Sequence, residues 1–168
     1  ELWFPLRVFT CHECWLVQTE DFADYELLFN KDYAYFSSVS KSWVQHAEDY
    51  VSAMVTRFEL SQNSHVVEIA ANDGYLLQFV KLRGIPCLGV EPTTRTAEAA
   101  RQKGIEIFEE FFGQETAQKL VSKGKSADLI AAKNVLGHVP DIVDFMAGFE
   151  VLLKPQGVAT FEFPHVLN

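Results

Sequence analysis

The sequence has little of what secreted, membrane-spanning or nucleic-acid-binding proteins require. Only three of its 168 residues are cysteine, so we expect no disulfide framework and a reducing, cytoplasmic location. No apolar run approaches the ~18 to 20 residues of a membrane span, and the first residues lack the basic flank and apolar core of a signal peptide. With 14 Lys and Arg against 23 Asp and Glu, the net charge of −9 argues against a general nucleic-acid binder.

Three parts with different residue patterns follow one another along the chain. Residues 1–30 are rich in aromatic side chains and contain a pair of cysteines between two short predicted strands, as in part of a zinc ribbon. Residues 31–61 contain a linker and then apolar residues at helical spacing, which predict one long amphipathic helix over residues 39–58. Residues 62–168 alternate between strand and helix patterns, and the 48% apolar content of the chain suffices for one substantial core.

The alternation predicts an α/β fold with a doubly wound, mostly parallel sheet of the Rossmann-like class. Helices are expected between successive strands. The predicted strands are Val66–Ile69, Cys87–Val90, Ile105–Phe108, Asp128–Ala132 and Val158–Phe163. A turn is predicted at residues 154–157, because Lys-Pro-Gln-Gly is a strong stop signal. In such sheets a ligand binds outside the carboxyl ends of the strands where the strand order reverses, so the turn after the first strand borders the expected site.

That turn carries the strongest functional signal in the chain. Glu68 is followed by Ala70, Asn72 and Gly74 at alternate positions, and small residues there let the methionyl part of a nucleoside cofactor approach the backbone. A dinucleotide site instead requires a G-x-G-x-x-G turn that brings a pyrophosphate to a helix N-terminus. This turn has a single glycine, and Asp73 would repel phosphate. The pattern therefore favours S-adenosylmethionine over NAD.

Residues after the next two strands are candidates for contacts with the nucleoside. Glu91 has two acceptor oxygens for the ribose hydroxyls, and Pro92 fixes the chain direction beside it. A NAD site would use such an acid in the same way, and water can satisfy an acid exposed at a strand end. Phe111 and Phe112 can flank an adenine ring, although an aromatic pair in this position suits a core equally well.

Four polar side chains are candidates for the reacting end of the site. Asn134, after the fourth strand, can bind the amino-acid end of the cofactor or orient a neighbouring group through its amide. His138 can contact a substrate as acid, base or donor, or it can cap the start of a helix. Tyr33 and Tyr35 precede the long helix, where a phenol at the mouth of the pocket would serve as donor or base. A packed junction is the alternative for this tyrosine segment.

The Cys-x-x-Cys spacing of Cys11 and Cys14 is a weak signal on its own. Tetrahedral zinc requires four ligands, no second Cys-x-x-Cys occurs in the chain, and Cys87 lies in a predicted core strand. A redox pair is less favoured because these cysteines do not open a helix after a buried strand. The sequence therefore predicts half a zinc site.

Taken in order, the motifs make the chain resemble the sugar C-methyltransferases of deoxysugar and antibiotic pathways. The resemblance covers nearly all of the chain. The matching segments are Cys11-x-x-Cys14 with Leu16-Val17-Gln18, Tyr33 to Ser38, Glu68 to Leu77, Gly89 to Pro92, Phe111 to Gly113, Asn134 to Pro140 and Phe161 to His165.

This resemblance implies a zinc-binding N-terminal module, a central S-adenosylmethionine domain and a C-terminal domain that act on a nucleotide-linked 4-keto-6-deoxy sugar. It implies methylation at carbon 3, after a base removes the proton beside the ketone and leaves an enolate. The cofactor contacts that it implies are Glu68, Ala70, Asn72, Gly74, Glu91 and Asn134. It implies that Tyr35 and His138 face the sugar, with Tyr33 as a lesser candidate.

The same resemblance implies that some functional groups of the family fall outside these 168 residues. Further zinc cysteines would precede residue 1, and a Glu-His catalytic pair would follow Asn168. We therefore expect a chain truncated at both ends that binds S-adenosylmethionine and turns over poorly. A non-catalytic cofactor-binding or assembly module is the alternative function, and a NAD-dependent oxidoreductase is a less favoured one.

Overall fold

The computed structural model describes residues 5–20, 29 and 35–164. An antiparallel hairpin of β1 (Val8–Thr10) and β2 (Val17–Thr19) comes first. The elements that follow are α1 (Lys41–Arg57), β3 (Val66–Ile69), α2 (Leu77–Leu82), β4 (Cys87–Val90), α3 (Thr94–Gln102), β5 (Glu106–Phe108), α4 (Gln114–Ser122), β6 (Ala127–Lys133), α5 (Ile142–Leu152) and β7 (Leu153–Glu162). Short 3₁₀ turns lie at Ser37–Val39 and Leu136–His138.

Strands β3 to β7 form one parallel sheet in the order β5-β4-β3-β6-β7, which confirms the predicted α/β class. The chain runs outward from β3 to β5, then crosses back to place β6 on the other side of β3. Glu68 on β3 pairs with Gly89 on β4 and Ala131 on β6. The strand order therefore reverses between β3 and β6, whose carboxyl ends lie side by side.

Helix α1 covers one face of this sheet because its apolar residues recur at helical spacing. The Ser40 hydroxyl caps the helix by accepting a hydrogen bond from the Trp43 amide at 3.3 Å. Ala47 and Val51 are buried in a core that includes Val66 of β3. On the opposite face, α4 and α5 bury a second apolar layer that contains Leu120, Ile130, Phe145, Phe149 and Leu152.

Two boundary predictions are wrong for local reasons. The predicted turn at residues 154–157 is part of β7, and the pairing of β6 with β7 shifts register between Ala127 and Leu129. At Gly157 an added Cβ would lie 2.7 Å from the Ala127 carbonyl oxygen, so this glycine permits a close strand approach. The long helix begins at Lys41, because residue 39 belongs to the preceding 3₁₀ turn.

Over the part of the chain that the structure describes, no helix has the length and apolarity needed to cross a membrane.

Candidate active site

A cavity of about 950 Å³ opens at the carboxyl ends of β3, β4 and β6, where the strand order reverses. Its volume is at the upper end of the range typical of small-molecule sites. The predicted site residues that line it are Tyr35, Ala70, Asn72, Glu91, Pro92, Phe111, Phe112, Asn134 and His138. Glu68 and Gly74 are buried behind this wall. Tyr33 lies outside the described residues.

The turn after β3 has left-handed backbone at three alternate positions. The φ angles are 56° at Ala70, 50° at Asn72 and 74° at Gly74. A non-glycine residue in this region costs about 1–2 kcal/mol, so the surrounding contacts must hold Ala70 and Asn72 in place. At Gly74 an added Cβ would overlap the Ile105 side chain and lie 3.2 Å from the Ala100 Cβ, which explains the glycine there.

Glu91 fastens this turn to the end of β4. Its Oε2 accepts a hydrogen bond from the Asn72 amide at 2.8 Å, and its Oε1 accepts from the Thr93 amide and the Thr96 hydroxyl at 3.0 Å each. The Thr93 hydroxyl also donates to Oε1. The carboxylate is only 4% exposed, so it is an organised acceptor on the cavity wall rather than a solvated acid at a strand end.

Glu68 is the most unusual titratable group of the site. It is fully buried, and neither carboxyl oxygen has a hydrogen-bond partner of satisfactory geometry within the described residues. Burial raises the pKa of Glu68 well above its ordinary value, and the charges of Glu91 and Asp73 raise it further against the opposing effect of Lys133. Unpartnered buried carboxyls are rare, and they concentrate at functional sites.

A buried lysine on the cavity wall is absent from the predictions. The side chain of Lys133, at the end of β6, is 3% exposed and pairs with the Glu162 carboxylate. Its ammonium lies 3.9 Å from the centroid of the Tyr50 ring and 3.5 Å from His46 Nε2. His46 Nε2 is 2.8 Å from the same carboxylate. Burial would raise the pKa of Glu162, but the hydrogen bonds from Lys133 and His46 outweigh it and lower that pKa.

Trp43 and Tyr75 form an apolar wall beside this lysine. Neither was predicted as a site residue. Trp43 stacks on His46 with 5.0 Å between ring centroids and on Tyr75 with 6.0 Å. Trp43 and Tyr75 both line the cavity. The helical spacing identified Trp43 only as an apolar position of α1, and the sequence signal for its second role is weak.

The aromatic pair after β5 divides its roles. Phe112 packs edge-on against Phe145 and Phe149, with centroid distances of 5.6 and 5.2 Å, so the core interpretation holds for this residue although it also borders the cavity. Phe111 lines the cavity and is 38% exposed, so its ring can meet a ligand there.

The loop after β6 presents two predicted residues to the cavity. Asn134 has a φ of 52°, and its backbone N–H donates to the Glu162 carbonyl at 2.7 Å while the residue is exposed. His138 is also exposed, and its ring lies edge-on to Phe29 with 6.0 Å between centroids. The helix-capping alternative for His138 is wrong, because Asp141 caps α5 by accepting from the Val143 and Asp144 amides.

Cys11 and Cys14 lie at the tip of the β1–β2 hairpin. All three cysteines of the chain are free thiols. Backbone hydrogen bonds from Cys14 and Glu13 lower the pKa of Cys11, which favours the thiolate that metals bind. Within the ranges that the structure describes, no three or more His, Cys, Asp or Glu side chains converge as a metal site.

The fold and the cavity together define a doubly wound α/β domain with a large open cavity at its topological switch point. The family model described as "Methyltransferase domain" matches residues 43–166. The chain therefore belongs to the methyltransferase-domain family. This membership does not favour the non-catalytic alternative.

Among curated proteins, the chain is similar to C-methyltransferase NovU of Streptomyces niveus, with 30% identity over 168 residues. That alignment covers 100% of this chain and 40% of NovU. A ubiquinone biosynthesis O-methyltransferase of Bartonella bacilliformis is 28% identical over 97 residues, which cover 55% of this chain and 38% of that protein. The chain thus spans about two fifths of the length of NovU.

Solved structures show the same fold at low sequence identity. DesVI of Streptomyces venezuelae superposes with a TM-score of 0.59 at 16% identity, covering 74% of this chain and 52% of DesVI. The plantazolicin methyltransferase BpumL in complex with SAH superposes with a TM-score of 0.54 at 14% identity, covering 69% of this chain and 44% of BpumL.

Proposed function

We propose that this protein transfers a methyl group from S-adenosylmethionine to carbon 3 of a nucleotide-linked 4-keto-6-deoxy sugar, through an enolate. The observation that carries the proposal is the large cavity at the carboxyl ends of β3, β4 and β6, whose lining includes the turn after β3, Tyr35 and His138. Similarity to a C-methyltransferase along the whole chain supports carbon as the acceptor atom. The sugar class rests on the ordered motifs described above.

The residues around the turn suit the methyl donor. Ala70 lets the backbone approach the methionyl portion, Glu91 offers Oε2 to the ribose hydroxyls, and Phe111 suits the adenine ring. The Asn134 amide suits the amino-acid end. The carboxylates of Glu91 on the cavity wall and Asp73 in the turn favour a cationic ligand over a pyrophosphate, which argues against NAD. When bound, S-adenosylmethionine supplies an electrophilic methyl group.

Two further side chains of the cavity lining suit the acceptor. The Tyr35 phenol, in a residue that is 59% exposed, can donate a hydrogen bond to a ketone oxygen that gains negative charge as the enolate forms. The His138 imidazole can donate or accept a hydrogen bond, or take part in proton transfer as acid or base. Trp43 and Tyr75 line the same cavity, and their apolar ring surfaces would strengthen these interactions by displacing water when the ligands bind.

We also propose that Cys11 and Cys14 supply two of the four ligands of a structural zinc ion, in a protein of the reducing cytoplasm. The lowered pKa of Cys11 and the hairpin-tip position of both thiols support this assignment. Metal analysis of the purified protein should find zinc that is lost in Cys11→Ser, whereas Cys87→Ser should keep it. Equal zinc content in all three proteins would overturn the assignment.

The test of the proposed reaction is incubation of the protein, in the longest form that its gene encodes, with S-adenosylmethionine and a nucleotide-linked 4-keto-6-deoxy sugar. Mass spectrometry should detect the gain of one methyl group, and NMR should place it on carbon 3. The matched sugar with a hydroxyl in place of the ketone should not react, because it cannot form the enolate. Methylation of that control sugar, or of an oxygen atom, would contradict the proposal.

A further inference from the structure

Residues 35–40, which we call the strap, are fastened across the turn after β3. The Ser37 amide donates to Asn72 Oδ1 at 2.9 Å, and Asn72 Nδ2 donates to the Tyr35 carbonyl at 3.1 Å. Ser37 is 6% exposed and Asn72 is 8% exposed, so the bond between them is buried, and the bond from Asn72 to Tyr35 is partly buried. One amide side chain therefore fixes the backbone on both sides of Phe36.

The residue type at position 72 suits this contact better than it suits the turn. Glycine would adopt the φ of 50° at no cost, whereas asparagine carries the penalty of the left-handed region. The Asn72 backbone N–H is already bound to Glu91, so the turn geometry does not need the side chain. What the side chain adds is a donor and an acceptor directed at Tyr35 and Ser37.

The neighbouring residue provides a second fastening. The Ser38 hydroxyl donates to the Asp73 carboxylate, which is 2% exposed. Lys103, just after α3, donates to the Asp73 carbonyl at 2.6 Å and to its carboxylate at 3.1 Å. The strap, the turn and the end of α3 are thus joined through one buried carboxylate.

We propose that Asn72 is a positioning residue that holds Tyr35 at the cavity. The turn after β3, which would bind S-adenosylmethionine, then also positions the Tyr35 phenol that would contact the acceptor. The inference rests on the proposed function for the role of Tyr35. It assigns the Asn72 side chain to the strap, whereas the sequence predicted a direct cofactor contact. Because misplacement of a catalytic group by about 1 Å can cost about 100-fold in rate, this contact acts on turnover rather than on cofactor affinity.

The first experiment needs no activity. The Ser37 amide should exchange with deuterium about tenfold faster in Asn72→Gly than in the native protein, because that variant removes its acceptor. Asn72→Asp keeps an acceptor oxygen and should retain part of the protection. Asn134→Gly is the matched control, because it also replaces an asparagine whose φ is near 50°. Among the hydrogen bonds of the described residues, none joins the Asn134 side chain to the strap. Unchanged Ser37 exchange in Asn72→Gly would overturn the proposal.

The second experiment separates positioning from binding. In Asn72→Gly, the Kd for S-adenosylhomocysteine should stay within about twofold of the native value, while kcat for methyl transfer falls at least about tenfold. Tyr35→Phe should also lower kcat, and the double variant should be no worse than the poorer single variant, because both changes remove the same phenol interaction. Rate losses that multiply, or a Kd that rises as much as kcat falls, would overturn the positioning role.

The two experiments also distinguish this proposal from the proposed function. Absence of S-adenosylhomocysteine binding in the native protein would defeat the proposed function, whereas the Ser37 exchange result would still report on the strap. If Asn72→Gly showed faster Ser37 exchange but normal cofactor binding and turnover, the positioning role would be contradicted and the proposed function would not.

Discussion

At the scale of single residues, buried charge is the feature that sets this site apart from the rest of the molecule. Glu68 has no hydrogen-bond partner of satisfactory geometry among the described residues, and Lys133 shares one carboxylate with His46. Burial of such groups is costly unless they are neutral or paired. Glu68 meets this requirement by its raised pKa, and Lys133 meets it by its pairing with Glu162.

Substitution of Glu68 should make stability depend less on pH. The pKa of Glu68 is higher in the folded protein than in the unfolded chain, where it lies near 4.5. The contribution of Glu68 to the free energy of unfolding is therefore fully present below pH 4.5, and it is lost as the pH rises through the folded-state pKa. Glu68→Gln cannot ionise and avoids this loss. In urea titrations, its free energy of unfolding relative to the native protein should rise with pH above about 4.5, by at most ~1.4 kcal/mol per pH unit.

The matched control is Glu150→Gln on the exposed surface of α5, which should change stability by less than about 0.5 kcal/mol. A constant difference between Glu68→Gln and the native protein at every pH would contradict the raised pKa.

Removal of either member of the Lys133–Glu162 pair should have unequal effects. The Lys133 side chain is 3% exposed and the Glu162 side chain 33%, so Glu162→Gln leaves a buried ammonium without its carboxylate. Lys133→Met instead leaves a carboxylate that can reach water and His46. We expect Glu162→Gln to lower the free energy of unfolding by about 2–3 kcal/mol and Lys133→Met by about 1 kcal/mol, measured by urea denaturation. The reverse order would show that the ammonium is not buried as described.

Sequence reasoning reached some of these residues and missed others for a physical reason. Glu91 and the small residues of the turn are identifiable because they lie next to one another or at strand ends. Lys133, His46 and Glu162 come from β6, α1 and β7, and only the sheet order brings them together. A lysine at the end of the apolar run Leu-Ile-Ala-Ala is the one local signal that predicts a polar group on the cavity wall.

At the scale of elements, the strands were predictable and the joints between elements less so. The pattern of apolar runs and helical spacing identifies β3 and β4 with their observed bounds. The prediction of a turn at residues 154–157 is wrong because proline and glycine also occur where a strand bulges. Only the pairing with the partner strand distinguishes a bulge from a turn. A histidine near the start of a helix is ambiguous in a similar way, because the sequence does not show whether it caps the helix, and at His138 it does not.

The packing of α3 against the turn after β3 depends on the absence of a side chain at Gly74. In Gly74→Ala the new methyl group would overlap Ile105 and press on Ala100, in addition to the cost of the φ of 74°. The combined loss should be about 2–4 kcal/mol in the free energy of unfolding. Gly124→Ala is the control, since its φ is 72° and an added Cβ meets nothing within 4 Å, so it should cost only about 1–2 kcal/mol.

Thermal or urea denaturation of the two variants in parallel isolates the packing contribution. Equal losses in Gly74→Ala and Gly124→Ala would contradict the close approach of α3 to the turn.

At the scale of the whole molecule, one topological feature brings the site together. The reversal of strand order between β3 and β6 sets the turn after β3 beside the Lys133 end of β6, and two apolar layers pack against the two faces of the sheet. The fold is shared with two methyltransferases at 14–16% identity, so the architecture tolerates wide sequence change.

The measurement that most directly tests the central claim is a calorimetric titration of the folded protein with S-adenosylhomocysteine, with NAD as the comparison ligand. We expect saturable binding of S-adenosylhomocysteine at one site, affinity at least about tenfold weaker in Glu91→Gln, and no binding of NAD. A protein whose circular dichroism spectrum shows an intact fold, but which binds NAD or fails to bind S-adenosylhomocysteine, would contradict the account.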